Sequence, residues 1–182
     1  MSAILPPAER LWWKHPLDRV EGAWLAIAFV WCMVMFFMMV YWHMYGRQNL
    51  STETYTTSPE AFLAKAEAWA GQYTVRTDEA TGQPVVAPPE GGDAYVVSRL
   101  WSFWPTLELE KGKTYRLHLS SMDYNHGFSL QPVNINIQVV PGYEHVVTVT
   151  PNQSGTYSVV CNEFCGIGHH TMIGRIYVVD KK

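Results

Sequence analysis

The hydrophobic pattern of the chain starts with one long apolar segment near the N-terminus. Residues 22–42 contain no formally charged side chain and are rich in Ala, Val, Phe and Met. A helix needs about 20 apolar residues to cross a bilayer, whereas the apolar core of a cleavable signal peptide has only about 7 to 15. The pattern therefore predicts a retained transmembrane helix, which we place at residues 22–45 after an N-terminal tail of residues 1–21.

Basic residues flank this apolar segment unequally. Arg10, Lys14 and Arg19 precede it, whereas only Arg47 follows it before Lys65 is reached. Flanks rich in Lys and Arg stay in the cytoplasm, so the N-terminus is predicted to be cytoplasmic. We therefore expect a single-pass protein of the cell (inner) membrane, in contact with membrane lipid. Every residue after Arg47 would then lie on the periplasmic or extracytoplasmic side.

Polar and small residues dominate residues 46–93, which we predict to be a linker that contains a short helix. Ser58 and Pro59 suit the N-cap and the first helical position, and Gly71 is predicted to end the helix. Proline and glycine are frequent in residues 81–93 and predict an irregular loop there. The apolar residues that share one face of the predicted helix are Phe62, Ala66 and Trp69.

Short segments with alternating apolar and polar residues fill residues 94–182. Separated by turns, they are typical of β-strands, and this many short strands predict a mainly β domain, a β-sandwich. In one strand the alternation directs His118 to solvent, and His145, beside a turn, is likewise interpreted as a surface residue. The predicted strands are residues 94–101, 106–110, 114–120, 134–140, 144–150, 155–160 and 173–179.

Composition and charge narrow the possible functions. The chain of 182 residues has a net charge of -3 and no basic cluster, so we expect no nucleic-acid partner. It has three cysteines and no C-x-x-C-H motif, which argues against covalently attached c-type haem on this chain.

Candidate chemistry is concentrated in residues 161–172, Cys-Asn-Glu-Phe-Cys-Gly-Ile-Gly-His-His-Thr-Met. The spacing C-x3-C-x3-H-x2-M places two thiols, an imidazole and a thioether within one loop. This soft ligand set suits copper, whereas a structural zinc site uses four Cys or His ligands and no Met. A disulfide between Cys161 and Cys165 is the alternative in an oxidising compartment, but it would leave His169 and Met172 without a role.

The number of cysteines suggests two metal ions. A single blue-copper site needs one Cys, two His and a weak axial Met, so the second thiolate suggests that two sulfurs bridge two metals. Such a centre needs a second imidazole from elsewhere in the chain. His126, in the segment Asp-Tyr-Asn-His-Gly-Phe, is the candidate, and we expect it on a loop after an earlier strand.

The ligand loop together with the upstream His-Gly-Phe resembles the dinuclear copper centre called CuA. This centre is found in subunit II of haem-copper oxidases (cytochrome c oxidases) and in nitrous-oxide reductase. The resemblance implies that Cys161 and Cys165 bridge both coppers. It further implies that His126 and Met172 complete one copper, while His169 and the backbone carbonyl of Glu163 complete the other.

The same resemblance implies a fold and a function. The sandwich, residues 94–182, would be a cupredoxin-like Greek key, and the single anchor is similar to the B family of haem-copper oxidases. The chain would receive electrons from a soluble donor, a cytochrome c or a cupredoxin, and pass them to haem in the catalytic subunit I. Oxygen would be reduced to water there, so this chain would be the non-catalytic electron-transfer subunit of a respiratory cytochrome c oxidase.

Two further roles are implied at particular residues. Trp101 and Trp104 are candidates for the aromatic side chain through which electrons arrive, with core packing as the alternative. In some oxidases the side chain at the position of Glu163 helps to hold a magnesium ion shared with subunit I, whereas other members carry an amide there. We therefore expect magnesium at Glu163 only as an option.

Two other functions are compatible with parts of the sequence. A nitric-oxide reductase with a CuA subunit would need the same ligands, since its reaction is determined by the catalytic partner. A membrane-anchored copper-insertion factor also uses C-x3-C and a distant His. Those proteins resemble thioredoxin, however, with the Cys pair early in an α/β domain and the His after it.

Overall fold

The computed structural model describes residues 16–46 and 52–180. It divides the chain into two compact units, residues 1–49 and 50–182. Residues 1–15, which form most of the predicted N-terminal tail, lie outside the described residues, as does Arg47.

The N-terminal unit contains one long helix, α1 (Arg19–Tyr45), of 27 residues. Asp18 caps it, because its side chain accepts hydrogen bonds from the amides of Val20 and Glu21. The predicted span, residues 22–45, lies within α1, and the helix starts three residues earlier because of this cap. By length and composition α1 is able to cross a membrane.

The second unit is built from two sheets and one helix. The helix is α2 (Pro59–Tyr73). The strands are β1 (Thr52–Thr56), β2 (Thr74–Thr77), β3 (Pro84–Val86), β4 (Asp93–Arg99), β5 (Ser102–Trp104), β6 (Thr106–Glu110), β7 (Tyr115–Ser121), β8 (His126–Gln131), β9 (Ile135–Val139), β10 (Tyr143–Val149), β11 (Gly155–Val160) and β12 (Ile173–Val179).

The two sheets differ in size and share one core. The five-stranded sheet has the order β1-β10-β7-β4-β5, and the seven-stranded sheet has the order β2-β3-β6-β12-β11-β8-β9. Most neighbours are antiparallel, but β4 runs parallel to β7, and β6 runs parallel to both β3 and β12. Fully buried side chains between the sheets include Leu107, Leu117, Leu119, Phe128 and Val147.

Helix α2 forms a second apolar cluster with the five-stranded sheet. Ser58 caps α2 as predicted, with its hydroxyl accepting from the amide of Ala61. The helix continues two residues past Gly71, where the sequence predicted its end. Its buried side chains Phe62 and Ala66 pack with Tyr95 and Val97 of β4. Trp69, predicted on the same face, is partly buried against both clusters.

The predicted linker contributes strands as well as the helix. Residues 46–93 include β1, β2 and β3, and all three belong to the two sheets. The prediction of an irregular loop at residues 81–93 is wrong at Pro84–Val86, which form β3. β1 and β2 are short and exposed, and β3 has only three residues, so none of them shows a clear alternation, and their partners in the sheets define them. β1, for example, is exposed along its length and pairs antiparallel with β10.

The strand predictions in the last part of the chain are largely confirmed. β6, β11 and β12 have the predicted bounds, and β4, β7, β9 and β10 agree to within two residues. Two strands were missed, β5 and β8. We expected His126 in a loop, but it is the first residue of β8, which lies between β9 and β11 and is buried over His126–Leu130.

The prediction that His118 faces solvent is wrong. Its side chain is buried, and its ring stacks on Tyr95 with 4.7 Å between ring centroids. Nδ1 is hydrogen-bonded to Glu144, and Nε2 lies 3.0 Å from a carboxylate oxygen of Asp93. Lys65 of α2 completes the cluster, 3.6 Å from Glu144. The outward face of this strand is covered by a helix, which alternation within one strand cannot indicate.

His145 also differs from its surface interpretation. Its Nε2 is buried without a hydrogen-bond partner, and its Nδ1 lies 3.3 Å from the hydroxyl of Thr54 in β1. Burial lowers the pKa of His145. The partial burial follows from the pairing of β1 with β10, a strand pair that the sequence did not predict.

Candidate metal centre

The loop of residues 161–172 connects the antiparallel neighbours β11 and β12. The amide of Cys161 donates to the carbonyl of Met172 over 3.2 Å, which closes the base of the loop. Gly166 has a φ of 121°, a conformation that favours glycine. A single 3-10 turn, His169–Thr171, brings the chain back to β12. The two ends of the loop are therefore fixed by the sheet.

Two buried thiols face each other inside this loop. The sulfurs of Cys161 and Cys165 lie 3.8 Å apart, and both cysteines are free. A disulfide has its sulfurs about 2.05 Å apart. Cys161 and Cys165 therefore form no disulfide in this structure.

His126 joins the thiols from a different part of the chain. Its ring is fully buried, and Nδ1 lies 3.9 Å from the sulfur of Cys161. The ligand atoms of His126, Cys161 and Cys165 all lie within 4.8 Å of one another, close enough to hold a metal ion. The pairing of β8 with β11 brings the histidine beside the loop.

The opposite side of the His126 ring is held by Asp123. Nε2 lies 2.7 Å from Oδ1 of Asp123. The same carboxylate accepts from the amide of Tyr124 at Oδ1 and from the amide of Leu100 at Oδ2. Burial alone would raise the pKa of Asp123, but the hydrogen bonds, first that from His126, outweigh it and lower that pKa. The carboxylate therefore keeps the proton on Nε2 and leaves the Nδ1 lone pair for a metal. Asp123 was not among the residues predicted from the sequence. Its position three residues before His126 is the sequence feature that could have indicated this role.

The remaining predicted ligands lie around the same two sulfurs. His169 Nδ1 is 3.7 Å and Met172 Sδ is 3.8 Å from the sulfur of Cys165. The carbonyl oxygen of Glu163 is 3.2 Å from the sulfur of Cys161, whereas the residue itself is exposed. The structure thus brings together all six predicted donors.

In the metal-free protein the Cys165 thiol resists ionisation. Burial, followed by the hydrogen bond and the charge of Cys161, raises the pKa of Cys165 to about 11. Two thiolates this close need positive charge beside them, because nothing else offsets their repulsion in a buried site. Thiolate, thioether and neutral imidazole are the donors that copper prefers. The residues present therefore fit a copper site.

The two candidate tryptophans have different surroundings. A β-carbon built on Gly168 would lie 2.3 Å from Cδ2 of Trp101, so this indole lies directly against the backbone of the ligand loop. Trp101 is 44% exposed. Trp104 is partly buried and packs against the core and the α2 cluster. Only Trp101 therefore contacts both the loop and solvent.

Comparison with known proteins identifies the family of this chain. Residues 99–179 match the family described as cytochrome c oxidase subunit II, periplasmic domain. A cytochrome c oxidase subunit 2 of Thermus thermophilus is 31% identical over 137 residues, covering 72% of this chain and 98% of that protein. The chain belongs to the cytochrome c oxidase subunit II family.

Other comparisons extend the likeness over more of this subunit II chain. A second cytochrome c oxidase subunit 2, also from Thermus thermophilus, is 29% identical over 165 residues, covering 88% of this chain and 92% of that one. A chain in the cryo-EM structure of a heme-copper terminal oxidase dimer has a TM-score of 0.58 at 22% identity. It covers 88% of this chain and is itself covered completely, which supports a common fold.

The fold prediction is confirmed by these findings. The chain is mainly β, with one N-terminal apolar helix and a β-sandwich of two sheets. The match to a periplasmic domain family, together with α1, indicates a single-pass membrane protein. As a member of this family the chain is a subunit of an oxidoreductase complex that contains a catalytic subunit.

Proposed function

We propose that this chain receives electrons at a dinuclear copper centre of the CuA type and passes them to haem in the catalytic subunit of the oxidase. The observation that supports this best is the pair of buried, unbonded sulfurs 3.8 Å apart, with two imidazoles, a thioether and a carbonyl around them. When bound, the copper pair would take up and release one electron at a time. Oxygen would be reduced to water at the partner subunit.

We assign the ligands as the family resemblance implies. Cys161 and Cys165 would bridge both metals, His126 and Met172 would complete one, and His169 with the Glu163 carbonyl would complete the other. The role of the polypeptide is to keep these donor atoms in fixed positions. The closed base of the loop, the sheet beneath it and the Asp123 hydrogen bond all restrict ligand movement, so little reorganisation would accompany a change in charge.

Electrons would arrive through Trp101 in this proposal. Its indole combines contact with Gly168 and exposure to solvent, whereas Trp104 is partly buried against the core and the α2 cluster. Two residues of the same ligand loop, Phe164 and Ile167, are 81% and 91% exposed. Exposed apolar side chains of this size favour a contact with another protein. We propose that a soluble donor, a cytochrome c or a cupredoxin, docks over them.

The exposed side chain of Glu163 leaves room for the optional magnesium shared with subunit I. We propose further that α1 is the single anchor of a B-family-like subunit in the cell (inner) membrane. Its N-terminus would be cytoplasmic and the copper domain periplasmic or extracytoplasmic. The β-sandwich gives no support to a copper-insertion factor, because that alternative requires a thioredoxin-like domain.

Copper stoichiometry and spectroscopy test the proposal on the full chain in detergent. We expect two coppers per chain and an EPR spectrum in which one unpaired electron is shared by two equivalent copper nuclei. One copper per chain with both cysteines intact would refute the dinuclear site. Turnover of the co-purified complex on oxygen and on nitric oxide then separates the oxidase from a nitric-oxide reductase.

A further inference from the structure

Asn162 occupies an unusual position between the ligand loop and the strand that carries His126. Strands β8 and β11 pair as far as Ser129 and Val160, the last pair of the ladder. If this register is continued for two more residues along each strand, Gly127 lies opposite Asn162. The Asn162 carboxamide fills this position, because a β-carbon built on Gly127 would lie 1.8 Å from its Oδ1.

The other end of the carboxamide reaches a third strand. Nδ2 of Asn162 donates to Oδ1 of Asn136 in β9 over 3.0 Å. One side chain therefore ties the start of the ligand loop to both strands of the β8–β9 hairpin. The backbone is close as well, since the β-carbon built on Gly127 would lie 2.9 Å from the amide nitrogen of Asn162. This approach is possible only with glycine at position 127.

The neighbours of this contact are two ligands of the proposed centre. Asn162 follows Cys161 directly, and Gly127 follows His126 directly. His126 is the ligand that comes from outside the loop, so its distance from the sulfurs depends on how the loop sits on β8. The sulfur of Cys161 lies 3.9 Å from Nδ1 of His126. The β8–β11 pairs end before these residues, and the Asn162 contact continues the connection between the two strands directly beside both ligands.

We propose that Asn162 is a positioning residue of the copper centre. Its carboxamide, seated on Gly127 and bound to Asn136, sets the separation between the Cys161 thiolate and the His126 imidazole. The inference rests on the proposed copper function and adds to it a residue that touches no metal. Residues that orient metal ligands affect metal affinity strongly, often ten-fold or more, while an exposed hydrogen bond adds little to folding stability.

The test is Asn162→Ala in the full chain, compared with the parent protein. We expect copper affinity, measured by competition with a chelator, to fall by about ten-fold. The midpoint potential and the paramagnetically shifted NMR signals of the His126 ring should move as well. Thermal unfolding of the copper-free protein should stay the same. These shifts separate positioning from a purely structural role, which would change unfolding and leave the ring signals in place.

Two further variants complete the design. Asn136→Ala leaves the Asn162 side chain on Gly127 and removes its hydrogen bond to residue 136. We expect copper affinity, potential and ring signals to change in the same direction as in Asn162→Ala, but less. If Asn162→Ala does not fold, Asn136→Ala tests the inference in its place. Asn152→Ala replaces an exposed asparagine in the connection between β10 and β11, and it should leave every readout unchanged. If Asn162→Ala has the copper affinity, potential and ring signals of the parent, Asn162 is not a positioning residue. Two coppers bound to that variant would still support the proposed copper function. A parent chain without two coppers would refute both.

Discussion

The ligand loop and the helix-covered face of the five-stranded sheet both hold buried polar side chains, but the two sites are assembled differently. In the loop, five of the six proposed donors come from residues 161–172, and only His126 comes from elsewhere. Beneath α2, each member of the cluster comes from a different element: Lys65, Asp93, His118 and Glu144. The spacing of residues in the sequence therefore indicates the ligand loop, but it gives no indication of the cluster beneath α2.

The two sites also differ in how their charge is balanced. The cluster beneath α2 contains its own counter-charge, because the Lys65 ammonium lies 3.6 Å from the Glu144 carboxylate. The loop, residues 161–172, contains no Lys or Arg, and burial next to Cys161 raises the pKa of Cys165 to about 11. A buried polar site that lacks a counter-charge favours binding one from outside. This difference is consistent with the proposal that the loop is the metal site, whereas the cluster contributes to the fold.

The largest expected effect comes from removing the region before β4. A fragment of residues 93–182 would lose β1, β2, β3 and α2, which exposes His118, Tyr95 and two sheet edges. We expect it to lack cooperative thermal unfolding by circular dichroism, whereas a fragment of residues 50–182 unfolds cooperatively. Equal melting curves for the two fragments would show that the covered face is dispensable.

Cys161→Ser addresses the other region and should separate the site from the fold. The serine hydroxyl is able to replace the thiol as donor to the Glu163 carbonyl, but it cannot bridge two coppers. We expect the shared-electron EPR spectrum to disappear. The free energy of unfolding of the copper-free protein should change by less than about 2 kcal/mol. An unchanged EPR spectrum would contradict thiolate bridging.

The sequence was sufficient for the loop because its chemistry is local. Donor types and spacing predicted Cys161, Cys165, His169 and Met172 as neighbours, and the structure places them together. Asp123 was missed because its role appears only when the His126 ring and the sulfurs have positions in space. A motif thus indicates which donors are present, while the second contact of a ligand depends on the folded chain.

The sequence was insufficient for the covered face because burial there depends on a third layer. Alternation along β7 correctly separates Leu117 and Leu119 from His118, but it cannot indicate that α2 covers the opposite side. For the same reason β1 escaped prediction: it is exposed along its length, and only the edge of β10 makes it a strand. Periodicity defines two faces, and tertiary contacts decide which of them are buried.

Phe62→Ala should weaken the covered face and leave the metal site unchanged. The Phe62 side chain is 1% exposed and lies in the cluster with Tyr95 and Val97. Truncating a buried Phe to Ala costs about 3–5 kcal/mol, measurable by chemical denaturation of the copper-free protein. Glu67→Ala, at an exposed position of the same helix, is the matched control with little expected change. An altered copper spectrum in Phe62→Ala would show that the two regions are coupled.

The smallest expected effect concerns His145, which lies beside Glu144 on β10 but points to the other face of the sheet. Burial lowers its pKa in the folded state, whereas in the unfolded chain the pKa is about 6.5. As the pH falls through 6.5, the unfolded chain gains a proton that the folded chain still resists, so folding loses stability. Its contribution is therefore complete above pH 6.5 and is lost as the pH falls from there towards the lower folded pKa.

His145→Gln removes this titration while keeping a side chain that is able to hydrogen-bond Thr54. We expect the melting temperature of the parent protein to fall more than that of the variant between pH 7.5 and pH 5. A gap between parent and variant that is the same at both pH values would mean that His145 titrates as a solvent-exposed residue. The sequence-based interpretation of His145 would then be right, and the contact of β1 with β10 would not shield it from water.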